Sequence, residues 1–364
     1  MSRPDLDACR PTRRNAHIWS SHLDLETTLP TLGLAAICRE LQGQGVAVDD
    51  LLRSIGLAPD APDDPTCRIT IGQKLAFFDQ ARRRARDPAF ALEAGRRHRL
   101  QDYGIFGFAL TSCSTAAEAL TFGLAHGRVA GNILERSFRI EGSSGILEAH
   151  DALGFGDVLP VVLEFSLAKT QRLFELVAGE PIRPKRVLLP YAAPEHHAAY
   201  RRTFDCDVVF DAGAAEWHFE VALLERRCPN ASAFAHRLAS QSCAELRSDL
   251  EERRPAIVQA VRACYLEGIA RNRAPTADET ASALRMSPRT LARRLAEAGV
   301  NYRDLTEEIR CRRAFDLLSR RGTTVDDVAD LLGFSDASSF RKAFKRWYGN
   351  TPVEYRRTMI RENG

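Results

Sequence analysis

No stretch of this 364-residue sequence approaches the ~18 uninterrupted apolar residues that a membrane span requires. The first twenty residues carry Arg3, Arg10, Arg13 and Arg14 with no apolar segment behind them, so no secretory signal peptide is expected. G-x-S-x-G, Walker-loop and H-E-x-x-H patterns are all missing, which removes familiar signatures of hydrolases, nucleotide-binding proteins and zinc proteases. None of the nine cysteines stands in a C-x-x-C pair, so neither a zinc ribbon nor a thioredoxin-type site is indicated. Scattered and odd in number, they read as reduced thiols of a cytoplasmic protein, small core hydrophobes rather than redox sensors. The adjacent His196 and His197 point about 100° apart on a helix and cannot easily share a metal.

What is present is a globular profile, 45% hydrophobic and 27% charged. The length exceeds one ordinary core and favours two domains. The net charge of +3 conceals an asymmetry: residues 253–364 hold 22 Lys and Arg against 14 Asp and Glu, or +8, leaving −5 elsewhere. A basic block behind a mildly acidic body calls for an anionic polymer as its partner.

Residues 1–25 lack periodicity and read as a loose leader. Helical spacing starts at Leu29, continues in a short helix over Val48–Ile55 and resumes at Ile71–Arg86 beyond the Pro/Asp-rich loop 58–65. Further helices are expected at Tyr103–Thr111 and Thr115–Gly131, the latter capped by Ser114 or by Thr115 with Glu118 as its capping-box partner. A hairpin is expected from Ser137–Ile140 and Gly145–Ala149, then a long apolar helix over Val161–Val177. Short strands at Arg186–Leu189 and Val208–Phe210 flank a helix near Pro194–Phe204. The mixture is α+β. Residues 229–253 form a polar helical connector, and Pro255 suits the first turn of the next helix.

The C-terminal region contains an internal repeat. Ala281, Leu284 and Met286 recur 48 residues later as Ala329, Leu332 and Phe334, while Leu291 and Leu295 recur 49 later as Phe340 and Phe344. In each copy a small alanine permits a close helix crossing, an apolar residue plugs the turn, and an i, i+4 pair faces the core. Ser287-Pro288 and Ser335-Asp336 supply cap chemistry for the second helix of each unit. Its outward face carries Arg289, Thr290, Arg293 and Arg294 in the first unit. The second unit offers Ser338, Ser339, Arg341, Lys342, Lys345 and Arg346. Two copies bridged by a helix over Tyr302–Leu318 argue for tandem helix-turn-helix units rather than a plain bundle.

On these residues, with Gly349-Asn350-Thr351-Pro352 and Tyr355-Arg356 beyond them, segment 255–358 resembles the AraC/XylS-type DNA-binding domain. The resemblance implies an all-α domain with two recognition helices entering successive major-groove segments. Carried over by position, Arg289, Thr290, Arg293, Ser338, Ser339, Arg341 and Lys342 become the DNA-binding residues. An arginine there can fork onto guanine, worth ~1–3 kcal/mol of discrimination, while hydroxyls and Lys342 suit phosphates. Arg285 departs from the family by standing where a turn glycine is common, and Ala292 and Ala337 cannot read a base edge.

Residues 29–225 are similar to the arabinose-binding-type N-terminal domain of one branch of that family. The resemblance rests on Leu51–Leu57, Asp87-Pro88, Gly104–Ser112, Ala116–Leu120 and Tyr200–Phe204. It implies an α+β effector-sensing or dimerising domain over 26–228, a connector over 229–253 and a DNA-binding domain over 254–364. The partners expected are double-stranded DNA, a second copy of the chain and RNA polymerase, with no membrane, no cofactor, no metal and no catalytic residue. The effector and its pocket stay unassigned; Phe106, Phe108, His126, Glu164, Lys169 and Trp217 are aromatic or charged groups in apolar surroundings, better explained by packing. Two alternatives remain open: a ligand-independent regulator whose front domain only dimerises or meets a protein, and an enzyme carrying a DNA-binding tail. The second requires a nucleophilic cysteine with a histidine close behind it, which Cys228-Pro229-Asn230 lacks.

Overall fold

The computed structural model describes residues 25, 27–252, 256–271, 273–318, 323–348 and 351–353. The leader, except Leu25, and Pro255 lie outside them. The first described element is a strand rather than the helix expected from Leu29: β1 (Thr28–Pro30) pairs antiparallel with β2 (Arg68–Thr70). Pro30 disfavours helical geometry at Leu29 before it, and helix α1 (Leu34–Gly43) starts only after Gly33 turns through φ 87°. Helices α2 (Val48–Ser54) and α3 (Ile71–Arg84) follow, with Thr70 and Gln73 forming a reciprocal capping box on α3. Leu34, Ile37, Leu41, Phe77 and Phe78 bury the apolar faces of α1 and α3 in one core.

Helix α4 (Phe90–Arg96), unread in the sequence, lies against α7 (Leu159–Ala178), the buried axis of the N-terminal region. Gly95 makes that approach feasible, because a Cβ there would stand 2.7 Å from the Ala168 methyl and 2.8 Å from the Phe165 carbonyl oxygen. Between them in sequence come α5 (Gly104–Thr111) and α6 (Ala116–Ala125). Thr115 caps α6 as expected, but the Glu118 carboxylate accepts from the Ser114 N–H, one residue before the cap.

The main sheet has the order β3-β4-β7-β5-β6, built from β3 (Glu135–Glu141), β4 (Ser144–His150), β5 (Arg186–Leu188), β6 (Asp207–Val209) and β7 (Ala215–Glu220). Only β5 and β6 run parallel, joined by the crossover helix α8 (His197–Phe204). The unread strand β7 holds the centre, its Trp217 and Phe219 packing against Phe174 of α7. Helix α9 (Ala233–Glu252) fills the place of the connector, but it is not free: Ala239 and Cys243 are buried with Tyr103, Phe106 and Ala109.

Among the described residues the elements of the C-terminal region are all helices: α10 (Ala256–Ala270), α11 (Ala277–Ala283), α12 (Pro288–Glu297), α13 (Tyr302–Leu318), α14 (Val325–Leu331) and α15 (Ala337–Tyr348). Helix α13 serves two cores. Leu305 and Ile309 pack with α10, α11 and α12, whereas Cys311, Ala314, Leu317 and Leu318 pack with α14 and α15. Among the described residues no helix is long and apolar enough to cross a membrane.

Candidate nucleic-acid interface and interior cavity

Each C-terminal unit begins with a capped first helix. Thr276 and Glu279 form a capping box on α11, and Thr324 and Asp327 do so on α14. Ala281 and Ala329 are fully buried where the second helix crosses. The turns are closed alike: Met286 N–H donates to the Ala281 carbonyl at 2.9 Å and Phe334 N–H to the Ala329 carbonyl at 3.0 Å. Before that donor stands a residue with positive φ, Gly333 at 69° in the second unit and Arg285 at 54° in the first. The turn at Arg285, which stands where the family commonly has a glycine, therefore has the glycine-like conformation.

The one-residue difference in spacing falls between the plug and the cap. Ser287 caps α12 directly after Met286, its hydroxyl accepting from Thr290 N–H, with Pro288 in the first turn. In the second unit Ser335 intervenes, and the Asp336 carboxylate accepts from Ser339 N–H at 2.7 Å. That N–H and the Ser339 and Ser335 hydroxyls hold the Asp336 carboxyl below its usual range. Leu291 and Leu295 on α12, and Phe340 and Phe344 on α15, all face inward.

The opposite faces bring the expected binding residues together in two groups. Arg289 and Arg293 lie one turn apart on the exposed side of α12, Arg293 with a loose exposed ion pair to Glu297 at 3.8 Å. Thr290 is half-buried and its hydroxyl lies 2.9 Å from the Ser287 hydroxyl, so it belongs to the cap. On α15, Ser338, Arg341, Lys342 and Lys345 are exposed. Arg341 reaches Asp326 at the start of α14 at 3.2 Å. Ser339 is half-buried and donates to Asp336, matching Thr290 in role. The Arg346 side chain lies outside the described residues. Between the units, the Arg310 guanidinium of α13 stands 5.6 Å from the Tyr265 ring centroid and 5.2 Å from that of Phe334.

The N-terminal region encloses a cavity among α5, α6, α7 and the first strands of the main sheet. Its walls include Phe106, Leu120, Leu124 and Phe174. The cavity holds about 70 Å³ of space open to the centre of a water molecule. One wall is polar. Arg136 of β3 donates to the Thr170 hydroxyl at 2.7 Å and to Ser166, and its Nε–H has no acceptor among the described residues. Lys169 of α7 donates to the Asn132 side-chain carbonyl at 2.8 Å, and its Nζ lies 5.5 Å from the Tyr103 ring centroid. The buried Tyr103 hydroxyl has no hydrogen-bond partner among the described residues. Burial lowers the Arg136 guanidinium to about 10 and pushes the Lys169 ammonium well below its ordinary value, aided by repulsion from Arg136 and Lys74.

Of the six aromatic or charged groups considered in the sequence, Phe106 and Lys169 line this cavity. Phe108 is exposed, and His126 stacks on Phe122 at 4.2 Å between ring centroids. Trp217 is core, while Glu164 accepts from Tyr200 and pairs with His196. His197 turns instead to the Pro194 carbonyl. Asn132, Arg136 and Tyr103 escaped the sequence reading, since they are far from α7 in sequence and only the tertiary fold brings them to one wall with Lys169.

Comparison with known proteins agrees with both halves of this geometry. Residues 45–228 match the family described as the arabinose-binding domain of AraC transcription regulator, N-terminal, and residues 280–358 match a helix-turn-helix domain family. An uncharacterized HTH-type transcriptional regulator of Mycobacterium tuberculosis is 30% identical over 348 residues, covering 91% of this chain and 97% of that protein. The ornithine utilization regulator of Pseudomonas aeruginosa is 27% identical over 315 residues, covering 86% and 91%. Among solved structures, the transcriptional regulator CdpR from Pseudomonas aeruginosa aligns at 25% identity and a TM-score of 0.42, covering 88% of this chain and 97% of that one.

Proposed function

The chain belongs to the AraC-type family of helix-turn-helix transcription regulators with an arabinose-binding-type N-terminal domain, and from that premise we propose that it is an effector-responsive regulator acting in the cytoplasm. The observation that carries the effector half is the interior cavity, walled by apolar groups on most sides and by two buried cations on one. Ligand sites of this kind combine apolar walls with a few placed polar groups. Under this reading the domain over 26–228 holds the effector, α9 transmits its state, and the domain over 254–364 meets DNA. Helix α9 suits that role because it shares buried residues with α5 beside the cavity. An effector shifts DNA binding only through different affinity for the two states.

For DNA contact we assign base reading to Arg289 and Arg293 and backbone contact to Ser338 and Lys342, with Arg341 released from Asp326 on binding. Thr290 and Ser339 act as cap groups that orient the helix start. Selection from random duplex pools with the full chain tests this. Arg293→Ala is expected to relax preference at one or two base positions, whereas Lys342→Ala weakens all sequences alike and reduces the salt slope by about 0.9. A uniform loss with Arg293→Ala would remove that residue from base reading.

A homodimer is the assembly we favour. Phe234 and Leu238 stand one turn apart on α9, exposed at 73% and 57%, and Phe108 is exposed on α5, the helix that packs against α9. Sedimentation of the full chain and of a Phe234→Ser variant reads this directly. RNA polymerase remains the protein partner that activation would require.

A further inference from the structure

We infer that the cavity takes a small organic monocarboxylate with a short apolar body, bound through Arg136 and Lys169; this rests on the effector reading above and names its chemical class. Two positive groups sit on one cavity wall, and among the described residues neither is bonded to a carboxylate. Their partners are a threonine hydroxyl, serine oxygens and an asparagine carbonyl, all neutral acceptors. A buried cation without a counter-charge is costly. Among the described residues the Arg136 Nε–H lacks any acceptor, and the hydroxyl of Tyr103, which lines the same cavity, is likewise unpartnered. An anion that accepts from these donors supplies the missing charge and hydrogen bonds together.

Size and shape narrow the class. The space open to water centres, about 70 Å³, corresponds to about five to seven waters. That admits a ligand of around ten heavy atoms and excludes a long acyl chain. Away from these donors the lining includes Leu120, Leu124, Leu173 and Phe174, which offer no hydrogen bonds to a second polar end. A sugar would leave most of its hydroxyls unpaired against them. A dicarboxylate would bury its second charge there.

The test uses the full-length chain with hexanoate and benzoate as probes, and hexanamide and benzamide as their neutral counterparts. Thermal-shift titration is expected to show dose-dependent stabilisation by the two acids and none by the amides. Arg136→Gln should weaken acid binding about 10- to 100-fold, the span of a charge-assisted hydrogen bond, and Lys169→Met should act in the same direction. Should either variant fail to fold, the acid-against-amide comparison on the unaltered chain decides alone. Equal binding of acids and amides, undiminished acid binding by Arg136→Gln, or no response to either acid overturns the inference. Affinity for selected duplex DNA is measured in parallel. Acid binding that leaves DNA affinity unchanged sinks the effector reading but not the ligand class, whereas amides that bind and shift DNA affinity do the reverse.

Discussion

Arg285 and Gly333 occupy the same turn position 48 residues apart, both with positive φ, and the cost of that conformation differs between them. An L side chain in the left-handed region is disfavoured by roughly 1–2 kcal/mol. Arg285→Gly is therefore expected to stabilise the C-terminal domain by about 1 kcal/mol in urea unfolding, less the entropy a glycine adds to the unfolded chain. Gly333→Ala should move stability the other way and by more. Its added Cβ would adopt the unfavourable φ and stand 2.8 Å from the Ala274 Cβ. If Gly333→Ala were neutral, the second turn would have to be looser than its hydrogen bonds indicate. Arg285 was legible as a departure from the expected glycine, yet its consequence was not, because a turn closed by Met286 and a capped α12 can hold an arginine in that conformation.

At the level of elements, the sequence exposed what local chemistry determines. The bridge α13 runs over the residues expected, and α3, α7, α12 and α15 match their apolar spacing. Strand β7 was missed although Trp217 and Phe219 alternate with Glu216 and His218. Two residues that usually read as surface, Glu216 and His218, are here tied to each other, and Glu216 also to Arg139, next to the core. Helix α4 was missed because its apolar stretch is short and its partner α7 is distant in sequence. Gly95→Ala would drive a methyl to 2.7 Å from the Ala168 Cβ and 2.9 Å from the Lys169 backbone nitrogen. Separating α4 from α7 should cost about 1–3 kcal/mol. Because Lys169 is on the displaced segment, acid binding in the cavity should weaken as well. Ala168→Gly in the same chain should restore part of the stability, while thermal unfolding unchanged by Gly95→Ala alone would contradict the close packing.

The whole molecule couples its stability to pH through histidines kept neutral by burial. His98 is almost entirely enclosed, its ring 4.2 Å from that of Tyr103, and burial together with repulsion from Lys169, Arg39 and Lys74 holds it well below its usual value. His126 is lowered to about 4, chiefly by burial against Phe122, with Arg247 and His236 adding to the shift. In the unfolded chain both titrate near pH 6.5. Below that pH the unfolded state gains protons that the folded state refuses, so stability is full above about 6.5 and falls as the pH drops toward 4. Each pKa unit of difference corresponds to about 1.4 kcal/mol, so with its partial exposure discounted His126 alone is expected to account for a loss on the order of 2 kcal/mol across this window, and His98 adds to it. Glu216, held near 2 by His218 and Arg139 against its own burial, adds its loss only below about pH 4.5. The two contributions therefore separate along the pH axis. Urea midpoints at successive pH values should decline first between 6.5 and 4.5. A His126→Phe, His98→Phe double variant should flatten that part while leaving the steeper fall below 4.5. An unaltered slope in the variant would place the acid sensitivity elsewhere, whereas the expected flattening would locate it in the N-terminal domain, around the cavity wall that Tyr103 shares with Lys169.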